Sequence, residues 1–132
     1  MMDEAATSVD VLVVEDDPDL NEMIGAYVTL AGFAYHGAHT GAEALRATRA
    51  RAPGMVLLDL MLPDLDGFEL YRRLRDEDAM RGVPVVVVSA LCDQASRTRA
   101  QSLGARGFLA KPFDPDELMT LIREVMVARS AP

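Results

Sequence analysis

The feature that most constrains this chain is a set of short, unbroken apolar runs separated by longer amphipathic stretches. MVLL (Met55–Leu58) and VPVVVV (Val83–Val88) are apolar without alternation, and so is VDVLVV (Val9–Val14) after Asp10. That pattern predicts strands covered on both faces, because a strand with one wet face alternates apolar and polar residues. FAYHGA (33–38) reads as a weaker strand and GFLA (Gly107–Ala110) as a short one. Between them, Leu20, Met23, Ile24, Tyr27 and Val28 recur at helical spacing, as do Leu118, Leu121, Ile122, Val125 and Met126. Each set predicts a helix with one apolar stripe. Asp17-Pro18 and Asp114-Pro115 place a capping carboxylate before a proline that suits the first helical turn. Thr40 and Glu43 have the spacing of a capping box. Two further helices are predicted over Gly67–Asp76 and Asp93–Leu103, the second thin in apolar residues (SRTRAQS) and so expected to pack loosely.

The result is strand-helix repeated about five times over a chain long enough for one domain. Strict alternation with doubly buried strands implies a parallel sheet with helices on both faces. Ligands of such sheets bind outside the carboxyl ends of the strands. The polar residues that matter most are therefore those where the strands stop.

Those positions carry Glu15-Asp16-Asp17, Asp59, Ser89 and Lys111-Pro112. Asp59 is the most demanding of them, since it follows Met55–Leu58 and precedes Leu60-Met61-Leu62. A buried lone carboxylate is costly unless something pairs with it. If the first and third strands are neighbours, Glu15, Asp16 and Asp59 converge. Carboxylates about 5 Å apart repel by roughly 3 kcal/mol per pair at an effective dielectric of about 20. A cation relieves that repulsion, and oxygen donors without nearby His or Cys suit Mg²⁺, which completes its shell with water and phosphate oxygens. Asp17, followed by Pro18, reads as a helix cap before it reads as a site residue, and Asp64 and Asp66, beyond Pro63, read as turn and cap residues.

Composition narrows the function classes. The 132 residues carry a net charge of −8, which argues against an unaided grip on nucleic acid or anionic membrane. The single cysteine, Cys92, allows no internal disulfide and suits a reducing cytosol, where it is expected as a packed thiol. The opening MMDEAATS lacks the apolar core of a secretory signal, so the expected location is cytoplasmic. No apolar run approaches the roughly 18 residues of a membrane span. His36 and His39 read as edge residues, and the methionines as core.

VLVVEDDPDL, VLLDLMLPDLDG, VVVVSA and GFLAKPF, in that order and spacing, resemble the receiver domain of bacterial two-component response regulators. The resemblance covers residues 8–129, leaving residues 1–7 as a tail and 130–132 as a tail or the start of a linker. It implies an α/β, flavodoxin-like three-layer sandwich whose five-stranded parallel sheet has the order 2-1-3-4-5. It also implies a signalling switch, in which Asp59 takes a phosphoryl group from a sensor histidine kinase or a histidine phosphotransfer protein. Glu15 and Asp16 would hold Mg²⁺, Asp16 directly and Glu15 through water, with Asp59 and the backbone carbonyl of Met61 as further ligands. Ser89 and Lys111 would contact the phosphoryl oxygens. Phe108 matches the switch aromatic, and Lys111-Pro112 is expected to be cis.

Where the family often has Asp, Thr and Tyr, this chain has Glu15, Ser89 and Phe108, variants that affect tuning more than assignment. The resemblance implies no enzymatic role beyond the domain's own phosphorylation and dephosphorylation. Its output is expected through the face made by the fourth helix, fifth strand and fifth helix, acting on a partner, a linked output domain or a second copy. Members attached to winged-helix DNA-binding domains commonly have two acids before the switch aromatic and a matching arginine in the fifth helix. Arg106-Gly107 and ELMTLI do not match that pattern, which disfavours that branch.

Two other readings are weaker. DLDG (64–67) loosely resembles the DxD motif of haloacid-dehalogenase-type phosphatases, but it follows Leu62-Pro63 instead of a strand, and the chain has no room for that family's core and cap. A pseudo-receiver that binds partners without phosphorylation is the alternative on the same fold; such domains usually lack the acids or the lysine, and both are here. No glycine-rich phosphate loop competes with these readings.

Overall fold

The structure, a computed structural model, describes residues 10–130. The strands are β1 (Val11–Val14), β2 (Tyr35–Ala38), β3 (Met55–Leu58), β4 (Val85–Ser89) and β5 (Gly107–Ala110). The helices are α1 (Pro18–Leu30), α2 (Gly41–Ala50), α3 (Gly67–Asp76), α4 (Gln94–Ser102) and α5 (Pro115–Ser130), with a 3₁₀ turn at Asp78–Met80. The sheet order is β2-β1-β3-β4-β5 and every pairing is parallel, as the alternation predicts.

The unbroken apolar runs have a simple origin. Successive strand residues point to opposite faces, and here both faces are covered. Val11, Val13, Met55, Leu57, Val86 and Val88 pack against Ile24 and Val28 of α1 and Leu118 and Ile122 of α5. Leu12, Val14, Val56 and Leu58 pack against Ala44 and Leu45 of α2 and Leu70, Tyr71 and Leu74 of α3. A third, smaller cluster joins Leu60, Phe68, Val87 and Ala100, with Phe108 against it.

Element ends differ from the sequence reading for local reasons. Val9 lies outside the described residues, so β1 is followed from Val11. β2 starts at Tyr35, because Phe33 is used to close α1: its amide donates to the Val28 carbonyl after Gly32 turns at φ 103°. β4 starts at Val85, because the Val83 amide closes the 3₁₀ turn onto the Met80 carbonyl and Pro84 has no amide to give. The buried face of α1 is Asn21, Ile24, Gly25 and Val28, rotated from the expected stripe; Met23 is 44% exposed. Met61 is 57% exposed, so the methionines are not uniformly core. α4 buries only Ser96 and Ala100, as its thin stripe predicts. Asp17, Thr40, Asp66 and Asp93 all cap their helices. The capping box is stretched by one residue, since Glu43 accepts from the His39 amide instead of that of Thr40.

Candidate functional site

Parallel register brings the strand ends together. β1 pairs with β3 so that Val14 faces Leu58, and the Asp59 amide donates to the Val14 carbonyl at 3.0 Å. Glu15 is placed on the other side of β1, its amide on the Ala38 carbonyl at 3.0 Å. Ser89 closes β4 opposite Ala110, and the Lys111 amide donates to the Ser89 carbonyl at 3.0 Å. Glu15, Asp16, Asp59, Ser89 and Lys111 therefore meet at one edge of the sheet, where five different loops begin.

Carboxylate oxygens of Glu15, Asp16 and Asp59 lie within 4.8 Å of one another. Glu15 and Asp59 are buried, at 3% and 5% exposure, while Asp16 is open to solvent. Both oxygens of Asp59 are engaged. Oδ1 accepts from Ser89 Oγ at 2.9 Å and from the Met61 amide at 3.0 Å; Oδ2 accepts from Lys111 Nζ at 2.9 Å. Lys111 Nζ also donates to Glu15 Oε1, and Glu15 Oε2 accepts from the Asp17 amide at 3.1 Å. One ammonium thus bridges the two buried carboxylates. Burial pushes the Glu15 carboxyl above its ordinary value, against the pull of Lys111 and the Asp17 amide, and the Asp59 charge adds to the rise. Burial alone would lower the Lys111 ammonium, but its hydrogen bonds and the charges of Glu15 and Asp59 outweigh that and hold it high.

The sequence reading expects Ser89 and Lys111 on phosphoryl oxygens and Glu15 on a metal-bound water. Here Ser89 and Lys111 hold the oxygens of Asp59 itself, and Glu15 pairs directly with Lys111. The physical reason is charge: in this arrangement Lys111 is the cation that offsets the buried acids. Met61 forms an isolated antiparallel bridge with Asp66, and its amide faces Asp59. Phe108 stands apart from the acids, half-buried on β5 with Arg97 Cζ 4.7 Å from its ring centre. Lys111-Pro112 is cis, as expected.

Three residues near the site escaped the sequence reading. Asn21 is fully buried against the ends of β1 and β2. A polar residue at helical spacing with Ile24 and Val28 is the signal that could have found it. Tyr35 donates its hydroxyl to Asn21 Oδ1. Asp64, read as a turn residue, reaches across to cap α2, accepting from the Gly41 and Ala42 amides at 2.8 and 3.1 Å. No local pattern announces a cap supplied from another loop.

A hydrogen-bonded carboxylate at a rigid strand end, flanked by two further acids and a lysine, has the parts for phosphoryl chemistry. The carboxylate can act as nucleophile, and the acids supply the hard oxygen donors that Mg²⁺ takes. Magnesium binding is a property of receiver domains, and the three-acid cluster of this chain fits it.

Comparison with known proteins agrees. The family model "Response regulator receiver domain" matches residues 11–123. The DNA-binding response regulator MtrA of Mycolicibacterium smegmatis is 39% identical over 113 residues, 86% of this chain and 48% of that protein. The transcriptional regulatory protein GltR of Pseudomonas aeruginosa is 34% identical over 122 residues, 92% of this chain and 50% of that protein. The chain thus spans about half the length of the curated relatives it matches. Among solved structures, the receiver domain of a Francisella response regulator superposes with a TM-score of 0.83 at 28% identity, covering 92% of this chain and 98% of that one. A CheY-like receiver domain protein from Methanospirillum hungatei has a TM-score of 0.85 at 22% identity over 93% of this chain and 97% of its own, a likeness of fold. Sheet order, strand-end acids and family match converge: the chain belongs to the receiver domains of two-component response regulators.

Proposed function

We propose that this chain, over residues 8–129, is a phosphorylation-activated switch whose phosphoacceptor is Asp59. The observation that supports this most directly is the placement of Asp59, buried between the Glu15–Asp16 pair and Lys111 with both its oxygens already oriented. An oxygen of Asp59 attacks the phosphorus of a phosphohistidine on a sensor histidine kinase or histidine phosphotransfer protein. The new P–O bond forms as the P–N bond breaks, and its electron pair leaves with the imidazole. Asp16, Glu15, Asp59 and the Met61 carbonyl would hold Mg²⁺, which supplies charge neutralisation to the transferring oxygens. Lys111 and Ser89 move from Asp59 to the phosphoryl oxygens. Apart from its own phosphorylation and dephosphorylation the domain catalyses nothing.

Movement of Ser89 opens space near β4 that Phe108 fills by turning inward, which biases the α4-β5-α5 face between two states. Through that face the domain controls a partner, a linked output domain or a second copy of itself, within the cytoplasm. That two relatives are named as transcriptional or DNA-binding regulators supports an output domain beyond this chain. The chain itself carries net charge −8 and makes no direct nucleic-acid contact in this reading. No described helix is long and apolar enough to cross a membrane.

The test is incubation with Mg²⁺ and acetyl phosphate. One base-labile phosphoryl group is expected, mapping to Asp59, with amide shifts spreading along residues 89–112. Wild-type labelling of Asp59→Ala overturns the assignment. Absence of any phosphorylation, with partner binding intact, favours the pseudo-receiver instead. Shifts confined to the loop after Asp59 overturn the coupling to Phe108.

A further inference from the structure

Asn21 is the single asparagine of the chain and is completely buried. It sits on the otherwise apolar inner face of α1, beside Ile24 and Val28. Its Nδ2 group faces three backbone carbonyls: Glu15 at 2.9 Å, Ala38 at 3.0 Å and Val13 at 3.3 Å. Its Oδ1 accepts from the Tyr35 hydroxyl, which also reaches the Asn21 carbonyl at 3.2 Å. An amide has two donor hydrogens and an acceptor oxygen with two lone pairs, so its donor side is fully committed to the ends of β1 and β2.

The surroundings are cut to admit this arrangement. A Cβ on Gly37 would lie 2.6 Å from the Tyr35 hydroxyl oxygen, and one on Gly25 would lie 2.6 Å from Tyr35 Cδ2. Glycine at both positions lets the tyrosine ring slide between α1 and β2 to reach Asn21. The contacts fall where the sheet ladder runs out. Val14 and Ala38 are the last paired residues of β1 and β2, and the Glu15 carbonyl lies beyond them. That carbonyl belongs to the peptide joining Glu15 to Asp16. Holding it fixes the plane of that peptide, and with it the directions in which the two acids leave the chain.

We infer that Asn21 is a positioning residue for the acid pair: by holding the Glu15 carbonyl it aims the Glu15 and Asp16 carboxylates at one divalent cation, without touching that cation or the phosphoryl group. This rests on the proposed Mg²⁺ reading of the site, and the test separates the two. A leucine of similar size in its place would keep the packing and remove the side-chain donor from the Glu15, Ala38 and Val13 carbonyls, while the Ala38 carbonyl keeps the Glu15 amide and the Tyr35 hydroxyl keeps the main-chain carbonyl of residue 21.

The experiment measures Mg²⁺ affinity and thermal stability of the whole 132-residue chain. The proteins are wild type, Asn21→Leu, Asn21→Ser and Tyr35→Phe, titrated with magnesium chloride by calorimetry. Groups that orient metal ligands typically affect affinity by about 10- to 100-fold, so Asn21→Leu should weaken Mg²⁺ binding by about tenfold. At saturating Mg²⁺, its phosphorylation rate with acetyl phosphate should return towards wild type, because the defect lies in binding the metal. Tyr35→Phe removes the partner of Oδ1 and leaves the donations to Glu15 and Ala38, so it should melt lower with unchanged affinity.

A fold-independent readout comes from the uniformly ¹⁵N-labelled wild type, in which Asn21 supplies the one asparagine side-chain NH₂ signal. That signal should move with the same Mg²⁺ midpoint as the Asp16 amide. If Asn21→Leu does not fold, Asn21→Ser and the labelled wild type carry the test. Wild-type affinity in every folded Asn21 variant, or an NH₂ signal that stays still while the Asp16 amide moves, overturns the inference and leaves Asn21 a purely structural residue. Failure of the wild type to bind Mg²⁺ overturns the metal reading itself, and the inference with it.

Discussion

Lys111 shows how much of the site depends on one charge. Glu15 and Asp59 are both nearly inaccessible, and the ammonium of Lys111 bridges them. Removing one partner of a buried ion pair strands the other in a poorly solvated position, at a typical cost of about 3–5 kcal/mol. Lys111→Met is therefore expected to lose about 3 kcal/mol in urea unfolding with EDTA present, and to recover part of it in Mg²⁺. Its pH dependence should change as well. The Glu15 carboxyl is raised above 4.5 by burial first, so it favours folding below that value and the benefit is lost as pH rises through its folded value. Without Lys111 only the Asp17 amide opposes the rise, so that loss should deepen and extend towards higher pH. In the wild type, the raised Lys111 pKa adds a contribution that is full below 10.5 and lost as pH climbs through the folded value. A Lys111→Met protein as stable as wild type at neutral pH without metal would mean the bridge carries no stability. In the sequence Lys111 stood out by its strand-end place, but its direct pairing with Glu15 did not, because the two follow β5 and β1, which β3 and β4 separate in the sheet, and only the folded sheet joins them.

At the scale of elements, the caps show what local pattern reveals and where it stops. Asp17, Asp66 and Asp93 cap the helices they precede; the first two are visible as acids just before a helical run, whereas Asp93, expected as the first residue of its helix, is its cap instead. Asp64 is different. It belongs to the loop after β3 yet accepts from the first amides of α2, so it ties the loop bearing Met61 to a neighbouring helix. Its carboxyl is held below the usual 3.8, chiefly by the Gly41 amide, with the Ala42 amide adding to it. A lowered acid stabilises the fold above its unfolded value and loses that effect as pH falls through the folded one. Asp64→Ala should cost about 0.5–1 kcal/mol, the lower part of the range for helix caps because the group is solvent-exposed. Asp64→Asn should keep part of the cap and lose the acid-dependent component below pH 3.8. Thermal melts between neutral and acid pH check both, and a wild-type acid profile in Asp64→Asn would sink the cap assignment. α4 illustrates the same limit from the other side. Its poor apolar stripe was plain, but Arg97 over Phe108 and Arg99 over Phe68, which hold it to its neighbours, join residues from separate elements and leave no periodic trace.

Across the whole molecule, the fold was readable because it needs only two facts: which segments are apolar throughout, and that strands and helices alternate. Both survive small errors at element ends, such as the starts of β2 and β4. The inner face of α1 was misread because Asn21 and Gly25 carry no hydrophobic signal, although both are buried. The convergence of the acids follows from β1 lying beside β3, and their net charge sets the last prediction. Three carboxylates gather in the folded chain and separate in the unfolded one, and Lys111 offsets one of their charges. Without metal the remaining repulsion opposes folding. Asp16 is the exposed member, with no hydrogen bond to Lys111, so its charge adds repulsion without the bridge that Glu15 and Asp59 share. Asp16→Asn should therefore melt modestly higher than wild type in EDTA. Mg²⁺ bound only to the native state adds RT ln(1 + [L]/Kd), about 1.4 kcal/mol at about ten times Kd. If Asp16 is a direct ligand, the variant should gain less than half of that increment and take up phosphoryl groups poorly. Thermal unfolding of both proteins with and without Mg²⁺ decides it. An Asp16→Asn protein that melts lower in EDTA, yet gains the full increment, would make Asp16 a structural residue and move the cation away from the acid pair.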